Sequence, residues 1–331
     1  MISLESPSVE PSFNLALEEY AFQRLSRKEE YFMLWQNRSA VIIGKHQNAR
    51  EEVNLPYASE HQIPVVRRLS GGGAVYHDLG NLNFTYIVDG EDPDLSMERF
   101  AGPLLSACRE FGIDARLQGR NDVTVNGRKF SGNARYQEDG RTMHHGTILI
   151  RVDSRVMGQV LKVPEDKIAS KGVKSVPSRV VNLAECTGME LTVPQFAAVL
   201  REKVFGTSHP AQYSWTKEDL ACVEELRKKR YDTWEWNYGN FPVYDIEKKK
   251  RVEGCGTVRI GMRVLGGCVE ALSIRGDFLG SRPVEELEAL LCGCPLRTDA
   301  VLAKLEAVDL RAYLYGMPPE VFAGILCGTA E

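Results

Sequence analysis

Apolar and polar residues follow two spacings along this chain, one typical of helices and one typical of strands. Apolar arcs at helical spacing predict helices over residues 12–25, 95–112, 194–206 and 216–230. Short runs rich in β-branched and aromatic residues predict strands at 31–36, 40–44, 63–68 and 81–88. In the last run apolar residues alternate with polar ones, which predicts burial on one face only. Ser12 or Asn14 is expected to cap the first helix.

Turn motifs and a local change of composition predict the organisation of the rest of the chain. Asn126-Gly127 and Asp139-Gly140 are two-residue hairpin turns, so the segment 123–152 is predicted to be an antiparallel meander. Around 234–252, aromatic residues, glycine and proline precede a basic run, and we place a domain boundary there. Two strands and three or four short helices are expected beyond it. The predicted class is α+β: a mixed, largely antiparallel sheet with flanking helices in a large N-terminal domain (1–245), then a small C-terminal α/β accessory domain (246–331).

Composition and charge narrow the classes of function. The chain has 331 residues and a formal net charge of −4, which argues against nucleic acid as the main partner. The N-terminal segment has no basic lead and the chain has no apolar run of membrane-spanning length, so we expect a cytoplasmic protein with no membrane partner. The eight cysteines form no CxxC pair, which favours buried reduced thiols over a zinc site.

The segment RRLSGGGAVYHD (67–78) is the first candidate for chemistry. Three consecutive glycines let backbone N–H groups converge on an anion, and Arg67 and Arg68 can add bidentate charge. The alternative is a hairpin tip with solvated arginines. Neither GxxxxGK[ST] nor GxGxxG is present, so a nucleotide bound here is held by a different scaffold.

Lys129, in GRKFSGNARY (127–136), is the ionisable group that the pattern favours most. It is expected to share a strand face with Ser131, and its ammonium can hold a carboxylate and a phosphate together. Asp122 opens the preceding strand. His144 and His145 have no metal-ligand spacing, so hydrogen bonding or packing near a pocket is expected of them. The polar segment 174–186 is either a phosphate clamp or a solvated loop.

Six segments together resemble the lipoate–protein ligase A family, in that family's order along the chain. They are FNLALEEY (13–20), IIGKHQNAREEVN (42–54), RRLSGGGAVYHD (67–78), GRKFSGNARY (127–136), HHGTILI (144–150) and KSVPSRVVNL (174–183). The resemblance implies an enzyme that activates lipoate with ATP to lipoyl-AMP. The lipoyl group then passes to a lysine of E2 subunits or the glycine-cleavage H protein.

The resemblance also implies roles for individual residues. Lys129 would be catalytic and Asp122 the partner of Mg²⁺. ATP would be bound by Arg68, Gly73, Ala74, Val75, Tyr76, Lys129 and Asp122, and lipoate by Lys129, Arg68, Gly72 and His145. Tyr76 stands where the family more often has phenylalanine, which would add a polar contact.

Three alternatives stay open at this point. Octanoyl and lipoyl transferases have a similar scaffold and use a cysteine thiolate without ATP; Cys186 is the nearest candidate here, although a structural cysteine is the simpler interpretation. Biotin–protein ligases are distant relatives of similar design. A catalytically silent lipoate or nucleotide binder is disfavoured because Lys129 and the triple glycine are present.

Overall fold

The computed structural model describes residues 1–89, 97–119, 121–162, 179–207, 209–238 and 246–328. Its strands are β1 (Ile2–Glu5), β2 (Tyr31–Trp35), β3 (Ala40–Ile43), β4 (Val65–Arg67), β5 (Val75–His77), β6 (Asn81–Asp89), β7 (Ala115–Gln118), β8 (Asp122–Val125), β9 (Arg128–Glu138), β10 (Arg141–Leu149), β11 (Ile246–Val252), β12 (Gly256–Leu265) and β13 (Cys268–Gly276).

The α-helices are α1 (Pro11–Arg24), α2 (Ala49–Glu52), α3 (Leu55–Glu60), α4 (Met97–Glu110), α5 (Ser154–Val160), α6 (Val193–Phe205), α7 (Lys217–Leu226), α8 (Trp234–Asn237), α9 (Val284–Leu291), α10 (Thr298–Leu305), α11 (Leu310–Tyr313) and α12 (Pro319–Cys327). A 3₁₀ turn (Leu183–Glu185) precedes α6, and a π turn (Arg227–Tyr231) continues α7.

The strands form three sheets. The largest has the order β1-β2-β6-β10-β9-β8-β7, in which only β1 and β2 run parallel. A small sheet with the order β4-β3-β5 carries the glycine segment between β4 and β5. The third sheet has the order β11-β12-β13. The predicted α+β class with a mixed, largely antiparallel sheet is confirmed.

The first helix begins differently from the expectation. Pro11 occupies its first turn, where the missing N–H costs nothing, and Glu10 is the cap residue without a side-chain cap bond. The prediction that Ser12 or Asn14 caps the helix is therefore wrong. Asn14 is fully buried and its amide donates to Gln36 O at 2.9 Å, so it ties the helix to the end of β2.

Strand β6 is buried on both faces, not on one as its alternation predicts. Leu82, Phe84, Tyr86 and Val88 pack in a core cluster with α4 and α6. The other face, which carries the polar residues Asn83 and Thr85, lies over α1 and borders the pocket described below. A strand between two layers buries its polar side too, and each polar group there needs a partner.

The β8–β9 hairpin contains a register shift that sequence spacing does not reveal. Val123 pairs with Ser131 and the next residue, Thr124, pairs with Lys129, so Phe130 is an extra residue on β9. Lys129 consequently lines the pocket while Ser131 is buried outside its lining. The expectation that Lys129 and Ser131 share a face is wrong for this reason. The predicted two-residue turns are present, with positive φ at Asn126, Gly127, Asp139 and Gly140.

The C-terminal part has its own hydrophobic cluster, formed by β12 and β13 packed against the four helices α9–α12. The basic run 248–251 forms most of β11, an edge strand that the sequence pattern did not predict. Charged residues on an edge strand discourage pairing with other chains. The boundary at 245/246 stays a prediction. None of the helices in the described ranges is long and apolar enough to cross a bilayer.

Stability should decrease at acid pH because buried histidines are held neutral. His144 stacks on Phe100 at 4.4 Å, and burial lowers its pKa to about 3. Its stabilising contribution is complete above pH 6.5, where the unfolded chain is also neutral, and is lost as the pH falls toward 3. Urea denaturation between pH 5.5 and 4 measures how steeply the unfolding free energy falls as the pH falls. The slope for His144→Phe should be smaller than the slope for the parent, and the difference should be about 1.4 kcal/mol per pH unit.

The exposed His61 gives the control: His61→Phe should keep the slope of the parent. Equal slopes for the parent and His144→Phe would mean that His144 does not contribute to acid destabilisation.

Candidate functional site

A single pocket joins the main sheet, the small β4-β3-β5 sheet and helix α1. Its empty volume is about 600 Å³, open solvent included. Its wall is formed by Leu15, Trp35, Ile42, Arg68, Gly72, Gly73, Ala74, Val75, His77, Asn83, Asn121, Lys129, Gly132, Asn133, Ala134, His145, Gly146 and Thr147.

The structure brings most of the predicted site residues into this wall. Arg68, Gly72–Val75, Lys129 and His145 all line it. Tyr76 does not, because its side chain points to the opposite side of β5, where its hydroxyl lies 3.0 Å from Ser39 Oγ. Asp122 also stands outside the lining, but its carboxylate contacts Lys129.

Two of the three glycines in the loop are required, Gly71 by a close approach of backbone and Gly72 by its own backbone conformation. Gly72 has φ of +93°, which disfavours other residues. A Cβ on Gly71 would lie 2.4 Å from the carbonyl oxygen of Phe278, a residue of the C-terminal part. The Gly72 N–H donates to that same oxygen at 3.1 Å. The loop is therefore held between the main sheet and the C-terminal part of the chain.

The guanidinium of Arg68 holds this loop in place through hydrogen bonds. Its Nη2 donates to Gly71 O at 2.6 Å and to Gly73 O at 2.9 Å, and its Nε donates to Ser70 Oγ at 3.0 Å. Burial lowers the pKa of the guanidinium to about 10, so it keeps its positive charge at neutral pH. The loop thus combines a fixed shape with a buried cation, which suits an anionic ligand.

Arg67 serves a different purpose from the predicted anion contact. Its guanidinium donates to the carbonyl oxygens of Gly44, Lys45, Gln47, Trp236 and Asn237 at 2.6–2.9 Å. It is 5% exposed and stands outside the pocket lining. Arg67 therefore ties α8 to the loop after β3, and the expectation that it binds a phosphate or carboxylate is wrong.

A buried hydrogen-bonded chain continues from Arg68 into the core. His145 Nε2 lies 2.6 Å from Ser70 Oγ, and His145 Nδ1 lies 2.8 Å from Glu18 Oε1. Because a carboxylate only accepts, the imidazole hydrogen belongs on Nδ1 and Nε2 accepts from the serine hydroxyl. This arrangement fixes the imidazole and the Ser70 hydroxyl, and through Ser70 the orientation of Arg68.

Lys129 reaches across the bare backbone of Gly132. A Cβ on Gly132 would lie 2.6 Å from Lys129 Nζ, so any other residue there would displace the ammonium from this path. The ammonium pairs with Asp122 Oδ1 at 2.7 Å, and both side chains are more than a third exposed. Such an exposed pair is weak, so a ligand anion can compete with Asp122 for the ammonium.

Another part of the wall is mostly apolar, and sequence reasoning did not identify the residues that form it. Leu15 and Trp35 come from α1 and β2, and Ile42 comes from β3. The polar residues His77 and Asn83 stand beside them, 3% and 2% exposed. The sequence signal for Asn83 was the pattern NLNFT in β6, in which asparagine and threonine alternate with apolar residues. In the structure this strand has no exposed face, so its polar side chains are buried.

Two further expectations concern residues away from the pocket. Cys186 is outside the lining, its thiol lies 3.5 Å from Asn182 O, and burial raises its pKa, which disfavours the thiolate. In the 174–186 segment, Lys174, Ser175 and Ser178 are outside the described residues. None of the eight cysteines forms a disulfide, and the described residues contain no cluster of three potential metal ligands.

Two family models match the chain. The model described as the lipoyl protein ligase A/B catalytic domain covers residues 10–205, which is more than half of the chain. The model described as the bacterial lipoate protein ligase C-terminus covers residues 241–326.

Curated relatives match along almost the whole length. The lipoate-protein ligase LplJ of Bacillus subtilis is 38% identical over 98% of this chain and 100% of its own. Lipoate–protein ligase 1 of Staphylococcus aureus is 40% identical over 92% of this chain and 93% of its own.

Solved structures show the same architecture. LipL1 of P. falciparum, determined in complex with lipoate, has a TM-score of 0.79 at 23% identity and covers 93% of this chain and 94% of its own. A lipoate-protein ligase A bound with ATP has a TM-score of 0.62 at 29% identity, covering 72% and 97%. A bipartite lipoate protein ligase of Thermoplasma acidophilum, described with its E2 lipoyl domain, has a TM-score of 0.64 at 30% identity, covering 74% and 98%.

The structural role of Arg67 predicts a loss of stability when it is replaced. Arg67→Met leaves at least five backbone carbonyl groups without this donor, and we expect the unfolding free energy in urea to fall by about 3 kcal/mol or more. Arg155→Met, at a side chain that is 90% exposed, should change it by less than about 0.5 kcal/mol. An Arg67→Met protein as stable as the parent would contradict this role.

Proposed function

The chain belongs to the lipoate–protein ligase family, and from this premise we propose a two-step reaction for its pocket. In the first step a carboxylate oxygen of lipoate attacks the α-phosphorus of ATP. The bond from that phosphorus to the bridging oxygen breaks, and pyrophosphate leaves. In the second step the neutral amine of an acceptor lysine attacks the lipoyl carbonyl carbon, AMP leaves, and the nitrogen gives up a proton.

One observation carries the proposal: a single pocket has cationic and backbone donors at one side and an apolar wall at the other. Lys129 and Gly72, at which a Cβ would lie 3.9 Å from Ala134 Cβ on β9, are at the first side. Trp35, on β2 three strands away, packs with Leu15 at the second. Lipoate has two corresponding parts. Its carboxylate, which must approach a phosphate, suits the donor side, and its hydrocarbon chain suits the apolar side. Each buried methylene contributes about 0.8 kcal/mol, so the apolar wall suits the lipoyl chain.

Lys129 is the catalytic residue in this proposal. Two anions repel each other as they react, and an ammonium between the α-phosphate and the carboxylate offsets the negative charge that develops. The present contact with Asp122 supports the assignment, because it demonstrates that an oxygen anion can reach Nζ at 2.7 Å in this setting.

The remaining assignments divide between the two substrates. We assign Arg68, Gly73, Ala74, Val75, Tyr76, Asp122 and Lys129 to ATP, and Arg68, Gly72, His145 and Lys129 to lipoate. Tyr76 can contribute only backbone atoms, because its hydroxyl bonds Ser39 on the other side of β5. Arg68 acts mainly by shaping the loop and by its charge, since most of its donors already bind carbonyl oxygens and Ser70.

Asp122 is the residue we propose for Mg²⁺. Magnesium commonly binds through one or two carboxylates together with substrate phosphates and water, and an accessible carboxylate beside the phosphate-facing lysine fits that donor set. When bound, the ion would neutralise phosphate charge. Strand β8 holds the Asp122 carboxylate at its first residue. On binding the ion, the carboxylate would give up its contact with Lys129.

The acceptor is proposed to be the lipoyl domain of E2 subunits or the glycine-cleavage H protein. The Thermoplasma acidophilum ligase described with its E2 lipoyl domain, 30% identical to this chain, supports this choice. We propose the cytoplasm as the place of action, which the absence of disulfides among the eight cysteines supports.

The alternative of an ATP-independent transferase has less support. Its nucleophile would be Cys186, whose pKa is raised by burial and which packs against the main core away from the pocket lining. A thiol must ionise and reach the acyl carbonyl to act as a nucleophile.

Replacing Lys129 tests the mechanism. Lys129→Ala should lower lipoate-dependent pyrophosphate release by about 10²- to 10³-fold or to background, because one group that stabilises developing charge is lost. Lys203→Ala, which removes a partly exposed lysine paired with Glu110, is the matched control and should retain the parent rate. Lipoyl-AMP formation by Lys129→Ala at the parent rate would refute the assignment.

Replacing Asp122 tests the metal assignment. In Asp122→Asn the weaker oxygen ligand should raise the Mg²⁺ concentration for half-maximal pyrophosphate release by about tenfold or more. Asp114→Asn alters an exposed carboxylate that pairs with Arg116 and should leave the Mg²⁺ dependence unchanged. An unchanged Mg²⁺ dependence in Asp122→Asn would exclude this residue as the metal partner.

A further inference from the structure

Two buried donor groups in the pocket wall have no hydrogen-bond partner among the described residues. They are His77 Nε2 and Asn83 Nδ2, and both residues line the pocket while being almost fully buried. Buried polar groups are nearly always paired in folded proteins. Two unpaired donors in one wall therefore point to a ligand that accepts hydrogen bonds there.

The neighbours of His77 determine that its free nitrogen is a donor. Asn37 Oδ1 lies 2.8 Å from Asn14 Nδ2 and accepts from it, which leaves Asn37 Nδ2 facing His77 Nδ1 at 3.1 Å. His77 Nδ1 must then be the acceptor, so the imidazole hydrogen is on Nε2. Burial lowers the pKa of His77 to about 3, so the imidazole is neutral at physiological pH.

Asn83 is held by its neighbour on β6. Its Oδ1 accepts from Asn81 Nδ2 at 2.9 Å, which leaves its own Nδ2 as the free group. Across the sheet Asn83 pairs with Trp35 on β2 and with Thr147 on β10, so its position is fixed from both sides.

Both donors stand at the apolar end of the pocket. The imidazole of His77 is 6.3 Å from the Trp35 ring in an edge-on arrangement, and Asn83 is the direct neighbour of Trp35. Lys129 is on β9, three strands from β2 in the sheet order, a separation of roughly 14 Å. A chain whose carboxylate is at Lys129 therefore places its far end near Trp35.

We propose that His77 and Asn83 determine specificity for lipoate over octanoate by donating to the dithiolane sulfurs. This inference rests on the proposed function, because it takes the acyl chain to lie along this pocket. The two acids have the same carboxylate and an eight-carbon chain, and they differ at the far end, where lipoate has two sulfur atoms that accept weak hydrogen bonds. An octanoyl chain would cover the two N–H groups without offering them an acceptor. Leaving buried donors unpaired costs free energy, so such a site disfavours an analogue that has no acceptor.

The test compares kcat/KM for lipoate and for octanoate in ATP-dependent pyrophosphate release. In His77→Phe and in Asn83→Leu the lipoate-to-octanoate ratio should fall about five- to tenfold, mainly through loss of activity with lipoate, because sulfur is a weak acceptor. His77→Gln keeps an N–H near the position of Nε2 and should restore part of the ratio. His61→Phe, at an exposed histidine, is the matched control and should keep the parent ratio.

The outcomes separate this inference from the proposed function. An equal fall with both acids, or a rise in the KM for ATP with an unchanged ratio, would overturn the inference, since the donors would then serve the fold or the nucleobase. If the parent protein releases no pyrophosphate with either acid, the proposed function fails and the inference fails with it. Asn83→Leu leaves the bond between Asn37 and His77 intact, so it provides the test if His77→Phe does not fold.

Discussion

The site depends on one buried cation, the guanidinium of Arg68. A charge can remain in the interior only when hydrogen-bond acceptors surround it, and here the acceptors are Ser70 Oγ and the carbonyl oxygens of Ile42, Gly71 and Gly73. With its carbonyl groups directed at Arg68, the loop is held in one shape and carries a positive charge beneath it. The Glu18–His145–Ser70 chain extends this constraint into helix α1 and strand β10.

The pocket separates two kinds of chemistry by distance along the sheet. Charged and backbone donors cluster where β9 meets the glycine loop, and apolar groups cluster where β2 meets α1. A reaction between two anions needs the first environment, while binding of a hydrocarbon chain needs the second. The register shift in the β8–β9 hairpin joins them, because it turns Lys129 onto the face of the sheet that the pocket uses.

The C-terminal part of the chain is connected to the site through backbone contacts. The Phe278 carbonyl accepts from Gly72 N–H, and the Gly276 N–H donates to His46 O at 3.0 Å. The His46 imidazole stacks on the Phe278 ring at 4.9 Å, and burial lowers the pKa of His46. These contacts bring residues distant in sequence against the loop, and composition and periodicity carry no information about them.

The sequence alone determined the fold class, most helices and strands, the two hairpin turns, and the grouping of Arg68, the triple glycine, Lys129 and His145 as site candidates. The elements and turns follow from local physics, since periodicity and turn conformation act over a few residues. The grouping of the site candidates rests on the family resemblance of their segments. Only the tertiary structure decided that Arg67 is structural, that Tyr76 faces away from the pocket, and that Lys129 and Ser131 lie on different faces. The same holds for His77 and Asn83, because whether a buried donor has a partner depends on which strands and helices the fold brings together.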